Sequence, residues 1–132
     1  SDDIATVVRQ FREKNKLKTM NYRFIINMAP EIYFQLMNEA ELIIGNSSSA
    51  IREGAYIGIP AIDIGTRQST RVIGRNVIRT NYDSKQIYKA ILKQIGKKYK
   101  SSNIYGAGES AKKIIKVLKK LKKVNVQKLN TY

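Results

Sequence analysis

Residues 41–67 read ELIIGNSSSAIREGAYIGIPAIDIGTR, and the order of apolar runs and breaks in this stretch decides the fold class. Glu41 to Ile44 is too short and too apolar for a surface helix, so it reads as a strand. The run breaks at Gly45-Asn46-Ser47-Ser48-Ser49, and Ser48 to Ile57 then reads as a helix closed by Gly58, with Pro60 just beyond it. Ala61 to Ile64 is a second strand. Working outward, Tyr22 to Ile26 is β-prone, and Pro30 suits the first turn of a helix carrying Ile32, Leu36 and Met37 on one face. Ile4, Val7, Val8 and Phe11 recur at helical spacing behind Asp2 and Asp3, in a helix that dissolves at Lys14-Asn15-Lys16. Downstream, Val77 to Thr80 is a further strand, and Ile87, Ile91 and Ile95 mark a helix begun near Ser84. A last helix, Glu109 to about Lys123, sets Ala111, Ile114, Ile115, Leu118 and Leu121 against a lysine face. Strands alternating with helices predict an α/β fold, a mostly parallel sheet with helices on both faces.

Composition sets the bounds of this reading. At 132 residues and 42% apolar, the chain can bury one core, and one domain or part of one is expected. No apolar run is long enough to cross a bilayer, no secretory leader is evident at Ser1, and there is no cysteine to staple a secreted fold; a soluble cytoplasmic protein is expected. The 25 Lys and Arg outnumber the 10 Asp and Glu, with the excess concentrated after Lys85, which favours anionic partners.

In such a fold Gly45 to Ser49 lies at the carboxyl end of the sheet, where ligands of open α/β folds collect. The free amides and positive dipole end of the following helix favour an anion, and the hydroxyls of Ser47, Ser48 and Ser49 add donors without bulk. Phosphate is the natural guest, although Ser47 or Ser48 acting merely as a helix cap accounts for the same serines. Glu53 falls about one turn into the helix, where its carboxylate can take the paired hydroxyls of a ribose or simply complement the helix dipole. Arg52 beside it reads equally as a solvated side chain. Arg67 follows the next strand at the same edge, where a guanidinium can neutralise a diphosphate in bidentate fashion.

The segment INMAPEIYFQLMNEAELIIGNSSSAIREGAYIGIPAIDIGTRQSTRVIGRNVI, followed by GKKYKSSNIYGAGES at residues 96–110, resembles the carboxyl-terminal half of hydrolysing UDP-N-acetylglucosamine 2-epimerases, enzymes that begin sialic and related nonulosonic acid synthesis. The combination of GNSS, IRE, GxP and GTRQ carries the resemblance, which spans nearly the whole chain. It implies a GT-B fold of two Rossmann-like domains with the active site in the cleft between them, of which residues 1–132 are a partial carboxyl-terminal, nucleotide-binding domain. It implies that Ser47 and Ser48 bind the diphosphate of a UDP-sugar, that Glu53 binds the ribose, and that Arg67 acts at the phosphate and catalytic side. Tyr33 stands where relatives often carry an aromatic that stacks on uracil; a core aromatic is the alternative. Many relatives have glycine where this chain has Ala50, and the methyl group there is expected to narrow the approach to the phosphates. No cofactor or metal is implied.

The family reaction eliminates UDP across the sugar, then adds water with inversion at the second carbon. Its catalytic carboxylates and histidine lie mainly in the amino-terminal domain, and this chain has no histidine. By analogy Ser1 follows the first two strands of the carboxyl-terminal domain. The strand at Tyr22 to Ile26 is then separated from the other three by the missing pair, and about 240 further residues are expected upstream. The segment alone is expected to be inactive and to self-associate as a homo-oligomer, to rearrange its strands, or to order only beside the missing amino-terminal domain. A non-hydrolysing 2-epimerase or related UDP-sugar enzyme is the alternative within this class. Outside it, the basic tail Lys112 to Lys128 raises a nucleic-acid-binding module, but its lysines alternate with an apolar face and no recognised nucleic-acid motif accompanies them. A membrane-surface helix lacks its usual Trp or Phe anchors.

Overall fold

A computed structural model of the chain describes residues 2–15, 22–104, 116 and 119. The chain divides after Met28, and the described residues on either side form separate compact units. In the first, helix α1 spans Asp2–Lys14, with Arg12 and Lys14 in its last turn, where cations complement the exposed carbonyls. Phe11 meets Tyr22 edge to face at 5.7 Å, and the Arg12 guanidinium lies 5.1 Å from the centre of the Phe24 ring. Tyr22 to Ile26, expected as a strand, is not one: only Ile25 carries a single bridge. β propensity describes how side chains suit a pleated surface, and a strand forms only where a partner takes up its backbone groups.

The second unit holds the sheet. Helix α2 spans Pro30–Glu39, strand β1 Ile43–Gly45, helix α3 Ser48–Ile57, strand β2 Ala61–Ile64, strand β3 Val77–Thr80 and helix α4 Ser84–Gln94. The three strands are parallel in the order β1-β2-β3, with Ile43, Ala61 and Val77 in one row and Gly45, Asp63 and Arg79 in another. The sheet is Rossmann-like, with three strands among the described residues where four were expected.

Pleating puts Ile43, Ala61 and Val77 on one face, and α3 covers that face with Ala50 and Ile51. Ile62 projects to the other face and is fully buried as well, and α4 contacts β2 and β3. The α3 boundaries follow from its caps. Ser47 accepts a hydrogen bond from the Ser49 amide at one end. At the other, Gly58 stands at φ 84°, ψ 20°, where a Cβ would lie 2.1 Å from the Tyr99 carbonyl oxygen. Backbone conformation and space both require glycine there. Helix α4 starts in the same way, with the Asp83 carboxylate accepting from the Lys85 amide at 3.1 Å.

The expected last helix falls largely outside the described residues; Lys116 and Lys119 are helical and exposed. Among the described residues no helix is long and apolar enough to cross a membrane.

Candidate functional site

Parallel strands ending at Gly45, Ile64 and Thr80 deliver three segments to one edge of the sheet. The first is the serine turn. Ser47 is exposed and caps α3, its Oγ accepting from the Ser49 amide at 3.3 Å. The Ser47 and Ser49 hydroxyls lie 3.0 Å apart, and Ser49 Oγ is 2.7 Å from the Tyr33 hydroxyl. Three hydroxyls from α2 and the α3 N-terminus thus form one hydrogen-bonded row that ends in solvent at Ser47. A hydroxyl offers one donor and two acceptor positions, so the row keeps capacity for an outside partner. Ser48 is the half-buried first residue of α3, in the turn whose amides have no intrahelical acceptor. Capping and anion binding are compatible here, because the cap engages one amide of several.

Tyr33 is half-buried, with its ring 6.3 Å from that of Phe34 and its hydroxyl turned to the serine row. Glu53 lies further along α3, half-buried, and its Oε2 is covered without a hydrogen-bond partner among the described residues. A carboxylate oxygen in that state forfeits its hydration and gains no bond in return among the described residues. Arg67 is exposed in the segment after β2 and forms no ion pair among the described residues. Arg52 is exposed on α3. The structure therefore joins Tyr33 to the serines directly, sets Glu53 on the same helix, and puts Arg67 on the adjacent segment, with no ion pair from Arg67 to Glu53 among the described residues. Ala50 does not bear on the loop: it is 2% exposed and its methyl packs with Ile51, Ala61 and Val77 against the sheet. Helical periodicity turns the position two residues after Ser48 inward rather than toward a ligand.

Three residues that sequence reasoning passed over hold this edge together. Gln68 is buried, and its Nε2 donates to the Asn46 carbonyl at 3.0 Å, tying the segment after β2 to the serine turn. Asp63, 1% exposed, pairs with Arg79 Nε at 3.3 Å. Arg79 also donates through Nη2 to the carbonyls of Gln68 and Arg71, at 2.5 and 2.6 Å. One signal was available: Asp63 is the lone charge in an otherwise apolar strand, and a buried charge demands a partner.

A cavity of about 700 Å³ lies at the opposite end of the sheet, lined in part by Arg75, Lys98, Tyr99, Lys100 and Ser102. It includes none of the expected site residues. The free amides of helix starts and the strand ends of a parallel sheet point instead to the carboxyl edge.

Known proteins were compared with the chain. Over 82 residues, 61% of the chain, it is 38% identical to a UDP-N-acetylglucosamine 2-epimerase of Neisseria meningitidis, covering 22% of that protein. Over 75 residues, 57% of the chain, it is 35% identical to a hydrolysing GDP/UDP-N,N'-diacetylbacillosamine 2-epimerase of Campylobacter jejuni, covering 19% of it. Over 98 residues, 74% of the chain, it is 29% identical to a hydrolysing UDP-N,N'-diacetylbacillosamine 2-epimerase of Legionella pneumophila, covering 26% of it. The matched stretch is thus roughly a fifth to a quarter of the length of these curated relatives. Residues 1–119 match the family described as UDP-N-acetylglucosamine 2-epimerase, and with the parallel sheet and the serine turn at its carboxyl edge in place, the chain belongs to that family.

Proposed function

We propose that the chain forms the nucleotide-diphosphate side of a GT-B enzyme that converts a UDP-sugar of the 2-acetamido class, UDP-N-acetylglucosamine first among them, with release of UDP. The observation that carries this reading is the row of hydroxyls from Tyr33 through Ser49 to Ser47 at the exposed N-terminus of α3. Ser47, Ser48 and the first amides of α3 hold the diphosphate, Glu53 accepts from the ribose hydroxyls at its empty oxygen, and Arg67 neutralises the departing diphosphate. A base anchored at the serine turn lies beside the Tyr33 ring, where stacking holds uracil.

In the hydrolysing reaction a base takes the proton from C2, the C1–O bond to UDP breaks, and its electron pair leaves with the diphosphate. Water then adds hydroxyl at C1 and a proton at C2 from the opposite face, giving N-acetylmannosamine for sialic or nonulosonic acid synthesis. Arg67 serves the first step, because charge grows on the leaving oxygen as the bond breaks. The proton-transfer groups come from the amino-terminal domain. Loss of their positioning forfeits roughly 7 to 11 kcal/mol of transition-state advantage, so the chain alone is inactive.

The test is calorimetry of the chain with UDP and with uridine. UDP should bind about tenfold or more tightly than uridine, since only UDP presents anions to the helix start. Glu53→Gln should weaken both, because both carry the ribose, and leave inorganic phosphate unaffected. Equal affinities of UDP and uridine would remove the phosphate assignment.

A further inference from the structure

We propose that Arg79, engaged by Asp63 and by two carbonyls of the segment after β2, is a positioning residue that holds the Arg67 segment and the serine turn as one unit; its purpose in catalysis rests on the nucleotide reading above. The side chain is built to span. Its Nε meets the buried carboxylate of Asp63 in the neighbouring strand, directly across the register, while Nη2 takes the carbonyls of Gln68 and Arg71. Those two carbonyls lie on the turn that begins at Thr66, where Ser69 N–H bonds the Thr66 carbonyl and Arg71 N–H bonds the Gln68 carbonyl. Arg67 sits inside this turn.

Gln68 continues the chain of contacts. Its Oε1 accepts from Arg71 Nε at 2.6 Å, and its Nε2 donates to Asn46, the residue before the α3 cap. From the sheet interior the order is Asp63, Arg79, the Thr66–Arg71 turn, Gln68, Asn46 and then the serines. A planar guanidinium can serve a carboxylate and two carbonyls in fixed directions, which a lysine ammonium cannot. Asp63 fixes the guanidinium in turn, at the expense of leaving its own Oδ1 without a partner. An Arg67 held this way approaches a diphosphate without first losing the freedom of a loose loop.

Exchange is measured on two variants of the chain, and affinity also on Arg67→Ala and on its combination with Arg79→Lys. Arg79→Lys keeps the charge beside Asp63 and loses the fork; Gln68→Leu leaves the Asp63–Arg79 pair intact and cuts the link to Asn46. Amide hydrogen exchange needs no ligand and reads the coupling: Arg79→Lys should raise exchange about tenfold or more at residues 66–71 and at 46–49 together, and Gln68→Leu at 46–49. Faster exchange at 66–71 with 46–49 unchanged overturns the coupling. Affinity then reads what the coupling serves. Arg79→Lys should bring the preference for UDP over uridine down about threefold, as should Arg67→Ala, and the two changes together should do little more than either alone. Additive losses, or equal losses for UDP and uridine, overturn the positioning role. A wild-type chain that does not prefer UDP instead removes the nucleotide reading, and the exchange result still decides whether the two segments move as one.

Discussion

The two ends of the sheet solve the same polar problem in opposite ways. At the amino end, Gln94 is fully buried and spends its whole amide: Nε2 donates to the carbonyls of Ala61 and Asn76 at 2.9 and 2.8 Å, and Oε1 accepts from the Tyr99 hydroxyl. Asn76 is buried beside it and donates to the Ile59 carbonyl at 3.0 Å. At the carboxyl end, Asp63 Oδ1 and Thr80 Oγ1 are buried without partners among the described residues, as is Glu53 Oε2 on the helix that starts there. Natural folds leave few such atoms, and each calls for a reason. Satisfied polar groups make the amino end a fixed scaffold. The carboxyl end keeps unspent hydrogen-bonding capacity where ligands of open α/β folds bind. Bonded and unbonded polar groups are thus divided, among the described residues, between the ends of strands only three or four residues long.

The comparison breaks most readily at Gln94. Gln94→Ala strips two carbonyls and the Tyr99 hydroxyl of a partner and opens a void beneath α4. The expected loss is about 2–4 kcal/mol, combining unpaired buried groups with the cavity. Urea unfolding of the chain reads it as a lower midpoint. The serine row should keep its UDP preference at temperatures where the variant remains folded. A loss under about 0.5 kcal/mol would mean that the amino end is not the scaffold.

A smaller effect is expected at Ser47, where the two properties meet. Ser47→Ala removes the cap of α3 and should cost about 1 kcal/mol in thermal unfolding, whereas Ser47→Gly should cost only a few tenths. Both variants lose the hydroxyl at the solvent end of the row, so both should weaken UDP alike. A glycine variant that binds UDP as the wild type does would leave Ser47 a cap and nothing more.

How much of this was legible beforehand depends on the range of the interaction. The strands Ala61–Ile64 and Val77–Thr80 and the helix Ser48–Ile57 coincide with the elements observed, because apolar runs, a serine cap and a glycine stop are signals carried by neighbouring residues. Tyr22 to Ile26 misled because its propensity is local but its pairing is not. The serine turn and Arg67 could be assigned to one edge from strand order alone. Gln68 and Arg79 could not: their partners lie 22 and 11 residues away in sequence, and only the folded sheet shows that one side chain spans both. Asp63 announced a buried charge, and its register partner Arg79 followed only once β2 and β3 were seen to pair.

The most delicate contrast concerns Thr80, the last residue of β3. It is 7% exposed, its carbonyl accepts from the Gly65 amide at 2.8 Å, and its hydroxyl has no partner. Alternation along β3 puts its side chain on the face opposite Asp63 and Arg79, so it stands outside the network that holds the Arg67 turn. Threonine and valine share branching and nearly share volume, and the difference between them here is the desolvation of one idle hydroxyl. Thr80→Val should therefore raise stability slightly, by up to about 1 kcal/mol, while the preference for UDP over uridine stays as it is. That result would separate the unpaired atoms into one that merely costs stability and two, on Glu53 and Asp63, that accompany function. A loss of stability would show that the Thr80 hydroxyl is bonded in solution. A loss of UDP preference with stability intact would move Thr80 into the site, and the division of labour at the carboxyl edge would extend to both faces of the sheet.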